Sequence, residues 1–177
     1  MRSAKENIIQ IAMKMFAENG FHKTSTASIS QEANISTGLL FYHFNSKERL
    51  LDAIMDLILE KLNQIVNIGK GSPIEQLESI IDNFINSLRL DGSFWDLYIM
   101  LLYQPDTKHL ILERVREHTQ NFKQKVYELM VKLERDDPKG ISFEFEIYRI
   151  GVFASYQSNH SDDFLEKASI RMKEKYL

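Results

Sequence analysis

The densest group of chemically distinctive side chains lies in the segment STGLLFYHFNSK, residues 36–47. Thr37 brings a hydroxyl that can hydrogen-bond a base edge, Gly38 allows close approach of the backbone, and Leu39 offers an apolar contact, for instance to a thymine methyl. Side chains that suit phosphate contacts follow: Tyr42, His43 and Lys47. Contacts to base edges and to phosphates together are the contacts that a DNA-binding helix makes, so this segment indicates nucleic-acid binding.

Two short helices joined by a tight turn would position this segment. Ser36 is a natural N-cap for a helix from Thr37 to about Phe44, and Asn34 tolerates the positive φ of a turn before it. The polar cluster at residues 24–26 can cap the preceding helix. The pattern predicts a helix-turn-helix, whose second helix fits the major groove. At the start of the first of these two helices, phosphate contacts suit Ser25 and Thr26.

A catalytic or metal-binding interpretation has little support in the sequence. The chain has no cysteine, which removes thiolate metal sites and cysteine nucleophiles. It also has no HExxH motif, no nucleophile motif and no glycine-rich phosphate loop. His109, Glu113 and Glu117 have helical spacing but stand outside any such motif. We therefore predict no catalytic residue, no metal and no cofactor.

Charge is distributed unevenly along the chain. The net charge of −3 divides into +2 for residues 1–50 and −5 for residues 51–177. A mildly basic N-terminal segment in an otherwise acidic chain permits DNA binding through a few well-placed residues. The N-terminus lacks a signal-peptide pattern, and the apolar stretches are far shorter than a bilayer span. We expect a cytoplasmic protein with no membrane partner.

Helical periodicity continues through the rest of the chain. A first helix ends at Asn19-Gly20, and a long fourth helix runs over residues 46–68. Further helices are predicted over residues 72–88, 94–103, 107–134, 141–159 and 162–176. We expect an all-α protein, in which a three-helix helix-turn-helix domain (residues 1–46) is joined by the fourth helix to a helical bundle (residues 47–177).

Residues 20–51, GFHKTSTASISQEANISTGLLFYHFNSKERLL, resemble the DNA-binding signature of the tetracycline-repressor (TetR) family. The likeness covers three helices and their joins, including Ala33-x-Ile35-Ser36-x-Gly38, Leu40–Phe44 and Ser46-Lys47-Glu48-x-Leu50. It implies a dimeric transcriptional regulator, most often a repressor, whose two recognition helices enter successive major grooves of a palindromic operator. It also implies that a small molecule bound in the C-terminal domain moves the fourth helix and releases the DNA.

Two positions depart from the family pattern. Phe41 stands where a tyrosine is usual, so the phosphate hydrogen bond expected there is absent, although Phe41 stays within the predicted interface. Ala27 stands where many members have a base-reading residue. Leu40 and Phe44 are expected in the core. If Lys47 contacts a phosphate, its removal should lower the salt dependence of DNA binding by about 1 per subunit.

The resemblance further implies a ligand cavity between the C-terminal helices. Aromatic residues at helical spacing fit either ordinary core positions or the walls of such a cavity. The predicted cavity residues are Phe84, Trp95, Tyr98, His118, Phe122 and Tyr148. His118 lies on an inward face, which suits a hydrogen-bonded core histidine as well as a pocket residue. We expect a hydrophobic or aromatic small-molecule effector, and the alternative is a DNA-binding regulator controlled by a protein partner without any small molecule.

Small residues recur on one side of the helix over residues 141–159. An interior glycine costs a helix about 1 kcal/mol relative to alanine, so Gly151 makes sense where another helix crosses closely. That helix could belong to the same subunit or to a second copy. The predicted homodimer interface comprises Gly151, Ala154, Ser155, Ser158, Phe164, Ala168 and Met172.

Overall fold

The computed structural model describes residues 3–177, and within this range the secondary structure is helical, without strands. The helices are α1 (Ala4–Asn19), α2 (Thr26–Glu32), α3 (Thr37–His43), α4 (Lys47–Val66), α5 (Pro73–Tyr103), α6 (Pro105–Lys132), α7 (Pro138–Asn159) and α8 (Asp162–Tyr176). The all-α prediction is confirmed. In residues 3–177 no helix has both the length and the apolarity that a membrane span requires.

The helix ends in the N-terminal region follow from local sequence. Gly20 closes α1 with a φ of 87°, a conformation that favours glycine, and Asn34 adopts a φ of 53° in the turn between α2 and α3. Ser36 caps α3, since its Oγ accepts a hydrogen bond from Leu39 N at 3.1 Å. The predicted turn and cap are both confirmed.

The predicted break between the helices over residues 72–88 and 94–103 is confirmed. Both stretches are helical and lie within α5, and the backbone at Asp91 between them is not helical (φ −119°, ψ 24°), so two helical segments meet at a kink. The residues between them include Gly92 and Ser93, which are typical of a kink. Lys61 Nζ lies 2.7 Å from Asp91 Oδ2 and stabilises the bent segment.

The chain forms two compact units that share three helices. The first unit comprises Met1–Glu60 and Asp96–Val115, and the second comprises Lys61–Trp95 and Arg116–Leu177. Fully buried apolar side chains form a core in each, among them Phe16 and Leu40 in the first and Ile81 and Phe145 in the second. The division runs through α4, α5 and α6, and the domains 1–46 and 47–177 stay a prediction.

In the second unit, ion pairs tie α8 to α5. Lys173 Nζ lies 3.0 Å from Glu78 Oε1 and 2.8 Å from Asp82 Oδ1. Burial opposes the charge on Lys173, but the hydrogen bonds that its ammonium group donates to Asp82 and Glu78 outweigh this effect and raise the pKa of Lys173. Lys173 therefore stays charged and holds the C-terminal helix against α5.

Candidate functional site

Helix α3 has one buried face and one exposed face. Leu40 and Phe44 are buried and anchor the helix to its unit, which confirms their expected place in the core. On the exposed face Tyr42 is 80% accessible, and Leu39 and Phe41 are exposed as well. Such an apolar and aromatic row on a short helix is available to a partner outside the chain. The predicted interface residues on this face are Thr37, Gly38, Leu39, Phe41 and Tyr42.

No contact within the protein requires a glycine at position 38. A Cβ atom built at Gly38 would meet only Ser36 Oγ, at the ordinary contact distance of 3.8 Å. The residue lies within α3 and is exposed. Since an interior glycine costs a helix about 1 kcal/mol relative to alanine, the open space at Gly38 suits close approach by something outside the chain.

The start of α2 is held by a reciprocal serine cap. Ser25 Oγ accepts a hydrogen bond from Ser28 N at 3.0 Å, and Ser28 Oγ accepts one from Ser25 N at 3.1 Å. Thr26 follows as the first residue of α2 and is half-buried. The Ser25 hydroxyl is thus engaged in its own helix cap while remaining exposed.

Lys47 forms hydrogen bonds with the segment that connects α1 and α2. Its Nζ donates hydrogen bonds to Phe21 O at 2.9 Å and Thr24 O at 3.0 Å, and it lies 4.4 Å from the centroid of the Phe21 ring. Thr24 is buried, and its Oγ1 donates to Gly20 O at 2.9 Å. Two of the three ammonium donors therefore hold the α1–α2 connection, directly before the cap of α2. His43 is half-buried at the end of α3, beside Tyr42.

The helices with this geometry match a known family. Residues 8–54 match the family model "Bacterial regulatory proteins, tetR family". This N-terminal segment is therefore similar to the DNA-binding segment of the TetR family. It is 30% identical over 111 residues to the HTH-type transcriptional repressor KstR2 of Rhodococcus jostii, an alignment that covers 60% of this chain and 52% of the relative. The chain thus spans about half the length of this curated relative.

Solved TetR-type structures share the whole fold. A TetR transcription regulator from Haloarcula marismortui superposes with a TM-score of 0.76 at 18% identity, covering 98% of this chain and 96% of that one. A TetR-like regulator from Rhodococcus sp. RHA1 gives a TM-score of 0.72 at 20% identity, with coverages of 96% and 91%. The chain as a whole therefore has the fold of the TetR-type regulators, and residues 8–54 match the DNA-binding segment of that family. Residues 3–177 include no cluster of three or more His, Asp or Glu side chains suited to a metal ion.

The residues predicted to line a ligand cavity do not all belong to the same unit of the structure. Phe84, Trp95 and Phe122 are buried in the second unit, and Trp95 Nε1 already donates to Ser87 O at 3.1 Å. Tyr98 belongs to the first unit. The Trp95 N–H is thus engaged within the protein rather than serving as the expected polar contact for a ligand.

Arg149, which is not in the predicted cavity set, contacts two of its members. The Arg149 guanidinium carbon lies 4.6 Å from the ring centroid of Phe122 and 5.7 Å from that of Phe84. His118 is half-buried, and its Nδ1 lies 2.9 Å from Asn63 Oδ1. Burial, and then the charge of Arg149, lower the pKa of His118, which is therefore neutral at neutral pH. We call Phe84, His118, Phe122 and Arg149 the Arg149 cluster.

Tyr148 lies instead among the predicted dimer residues. It lines a groove between α7 and α8 together with Gly151, Val152, Ser155, Phe164, Lys167, Ala168 and Arg171. Of the predicted dimer set, Gly151, Ala154, Ser155 and Ser158 are exposed, and Phe164 is half-buried. Ala168 and Met172 are buried in the core of their own subunit, because the same face of α8 also packs inward.

Sequence reasoning missed a set of exposed apolar side chains on α7 and α8. Phe143 is 66% accessible and Ile147 is 55% accessible, and Ile150 is exposed one turn further along α7. Ile170 on α8 is exposed as well. The signal was present in the sequence, since residues 143, 147 and 150 have the spacing of one helix face. We call Phe143, Ile147, Ile150 and Ile170 the apolar α7–α8 patch.

Proposed function

We propose that this protein is a homodimeric repressor that binds a palindromic operator through α3 and is released by a small-molecule effector. The observation that carries the proposal is the exposed face of α3, where open space at Gly38 lies beside the accessible side chains of Leu39 and Tyr42. Thr37 can read a base by hydrogen bonding, and Leu39 can contact a thymine methyl. The name of KstR2, a transcriptional repressor, supports repression as the mode of regulation.

The proposed dimer forms through the apolar α7–α8 patch. Exposed apolar side chains gain free energy when they are buried, and a twofold axis would bury those of each subunit against those of its partner. Gly151 supports this placement, since a Cβ atom there would meet nothing within 4 Å inside the subunit. The missing side chain leaves room for a helix of the second copy. A palindromic operator has two half-sites, and a dimer provides one α3 helix for each of them.

Polar contacts in the first unit give ligand control a physical route. Arg114 Nη2 on α6 lies 2.8 Å from Asp56 Oδ1 on α4, and Gln104 Nε2 donates to Ala17 O on α1 at 2.9 Å. A displacement of α6 would therefore act on both α1 and α4, the helices that precede and follow α2 and α3 in the chain. The ligand must bind more tightly to the conformation that does not fit the operator, because equal affinity for both conformations changes nothing. The proposed place of action is the cytoplasm.

Selection of an operator from random DNA, followed by titration of variants, tests DNA binding through α3. Gly38→Ala should weaken operator binding by about 1–3 kcal/mol, roughly 5- to 150-fold, because a methyl group obstructs the close approach. Its thermal stability should stay equal or rise slightly, since alanine favours the helix. Gly69→Ala is the matched control, because Gly69 also has open space but lies outside α3. Full operator affinity in Gly38→Ala would contradict the proposed interface.

A further inference from the structure

A groove of the second unit lies between α6 and α7 and is distinct from the groove between α7 and α8. Its volume is about 590 Å³, which is within the range of small-molecule sites. Residues at the spacing of one helix face line each wall. We call it the α6–α7 groove, and its lining includes Gln120, Lys123 and Tyr127 of α6 and Lys139, Phe143 and Glu146 of α7.

Each wall of the α6–α7 groove carries an exposed aromatic ring. Tyr127 on α6 is 39% accessible, and Phe143 on α7 is 66% accessible. Rings on both walls of a groove provide contact area for a flat apolar molecule. Phe143 also belongs to the apolar α7–α8 patch, whereas Tyr127 does not, so Tyr127 is the residue that distinguishes the groove from the patch.

An ion pair joins the two walls. Lys123 Nζ on α6 lies 3.3 Å from Glu146 Oε2 on α7, and only 12% of the Glu146 side chain is accessible. The carboxylate is thus largely removed from water and is neutralised by Lys123. A cationic ligand would have to displace Lys123 from Glu146, which disfavours that class of ligand.

A second lysine gives the lining a net positive charge. Lys139 is exposed near the start of α7 and forms no ion pair within residues 3–177. Together with Lys123 and Glu146 it brings the charge of the lining to +1, whereas residues 51–177 as a whole carry −5. A positive groove in an acidic part of the chain attracts anions.

We propose that the α6–α7 groove binds a planar aromatic molecule with one anionic group. The ring system lies between Tyr127 and Phe143, and the carboxylate or sulfonate is held by Lys139. A neutral aromatic molecule gains the ring contacts without the ion pair, so it binds less tightly. This site goes beyond operator binding by α3 and lies outside the Arg149 cluster.

The test uses two fluorescent probes that differ in a single group. The anionic probe is 8-anilinonaphthalene-1-sulfonate, and the neutral probe is N-phenyl-1-naphthylamine, the same skeleton without the sulfonate. Both are titrated into the whole 177-residue chain at neutral pH, at low and at high salt. We expect the sulfonate to bind about 3-fold or more tightly at low salt, and this preference to shrink at high salt because an exposed ion pair is screened.

Variants then assign the two parts of the site. Lys139→Gln should lower the affinity for the sulfonate about 3-fold, to that of the neutral probe, and leave the neutral probe unchanged. Lys139→Arg should restore the preference, since it keeps the charge. Tyr127→Ala should weaken both probes about 3-fold or more, because one aromatic wall is lost. Lys132→Gln is the matched control, since Lys132 is an exposed lysine of α6 outside the lining.

Thermal unfolding of each variant checks that the exposed positions 127 and 139 leave the fold intact. Equal affinity of the wild-type protein for both probes, or no binding of either, would overturn the proposal. A sulfonate preference that survives in Lys139→Gln would overturn it as well. Binding that is unaffected by Tyr127→Ala would contradict the α6–α7 groove and place the probes elsewhere, for instance on the apolar α7–α8 patch.

Discussion

Helix α3 in the first unit and helix α7 in the second unit both expose apolar side chains, but they differ in what they bury. In α3, Leu40 is buried, and Leu39, Phe41 and Tyr42 are exposed. In α7, Phe143 and Ile147 are exposed, and the Nε atom of a cation, Arg149, is buried. Exposed apolar side chains of this kind suit contact with a partner, and we propose DNA for α3 and a second copy of the chain for α7.

The comparison also shows why the two regions differ in how far sequence predicts them. The interface residues of α3 follow one another within a single short helix, so the sequence alone places them close together. The Arg149 cluster draws side chains from α5, α6 and α7, far apart in the sequence. Substitutions that act on one region and spare the other test whether this difference is real.

The largest expected effect is on dimer formation in the second unit. Gly151→Leu should leave the subunit folded, since the new side chain starts in open space. At a helix crossing, an inserted side chain costs about 1–3 kcal/mol, and twofold symmetry places it on both sides. We expect the dimer dissociation constant to rise about 30-fold or more, measured by sedimentation.

Gly69→Leu serves as the control for this experiment, because Gly69 also has open space and lies in the loop after α4. A Gly151→Leu protein that remains a dimer of wild-type strength would place the interface elsewhere. Loss of the dimer with unchanged thermal stability of the subunit would instead show that position 151 contributes to the dimer interface and not to the core of the subunit.

The second prediction concerns the role of Lys47 in the first unit. Lys47→Ala removes two hydrogen bonds from a charged donor to Phe21 O and Thr24 O, so the free energy of unfolding should fall by about 1.5–3 kcal/mol. Operator affinity should fall too, because the start of α2 loses its support. We expect the salt dependence of the remaining binding to change little, since Lys47 then acts by positioning α2.

Arg49→Ala is the control for Lys47→Ala, because Arg49 is a neighbouring exposed cation. Denaturant unfolding and operator titration at several salt concentrations decide the role of Lys47. A drop in the salt dependence of about 1 per subunit, with stability unchanged, would show that Lys47 contacts a phosphate and does not support the fold.

The smallest expected effect is a pH dependence in the second unit. The pKa of His118 is lowered below its ordinary value near 6.5, so the folded state binds a proton less readily than the unfolded state. The stability conferred by neutral His118 is complete above about pH 6.5 and is lost as the pH falls towards its folded pKa. His118→Asn should flatten the stability profile in this window.

His109→Asn is the matched control, since His109 is an exposed histidine on the same helix, α6. Denaturant midpoints between neutral and mildly acidic pH give the measurement. An identical pH profile for wild type and His118→Asn would contradict the described surroundings of His118 and remove one support for the Arg149 cluster.

The sequence by itself determined the helix-turn-helix and its exposed face. Gly20, Asn34 and Ser36 act through their own backbone preferences and hydrogen bonds to neighbours, so the turn and the caps could be predicted without knowing the rest of the chain. The same local reasoning placed a break near Asp91, where a polar stretch bends the chain, and a salt bridge to Lys61 thirty residues away supports the bend.

Only the tertiary structure decided which side of each C-terminal helix faces inward. Helix α7 carries two faces with apolar residues, one containing Phe145 and Val152 and the other Phe143 and Ile147, and periodicity alone does not say which packs against the core. The packing buried the first face and with it placed Arg149 beside Phe122. The physical reason is that burial is a property of the assembled helices, since each face gains free energy only from the surface it meets.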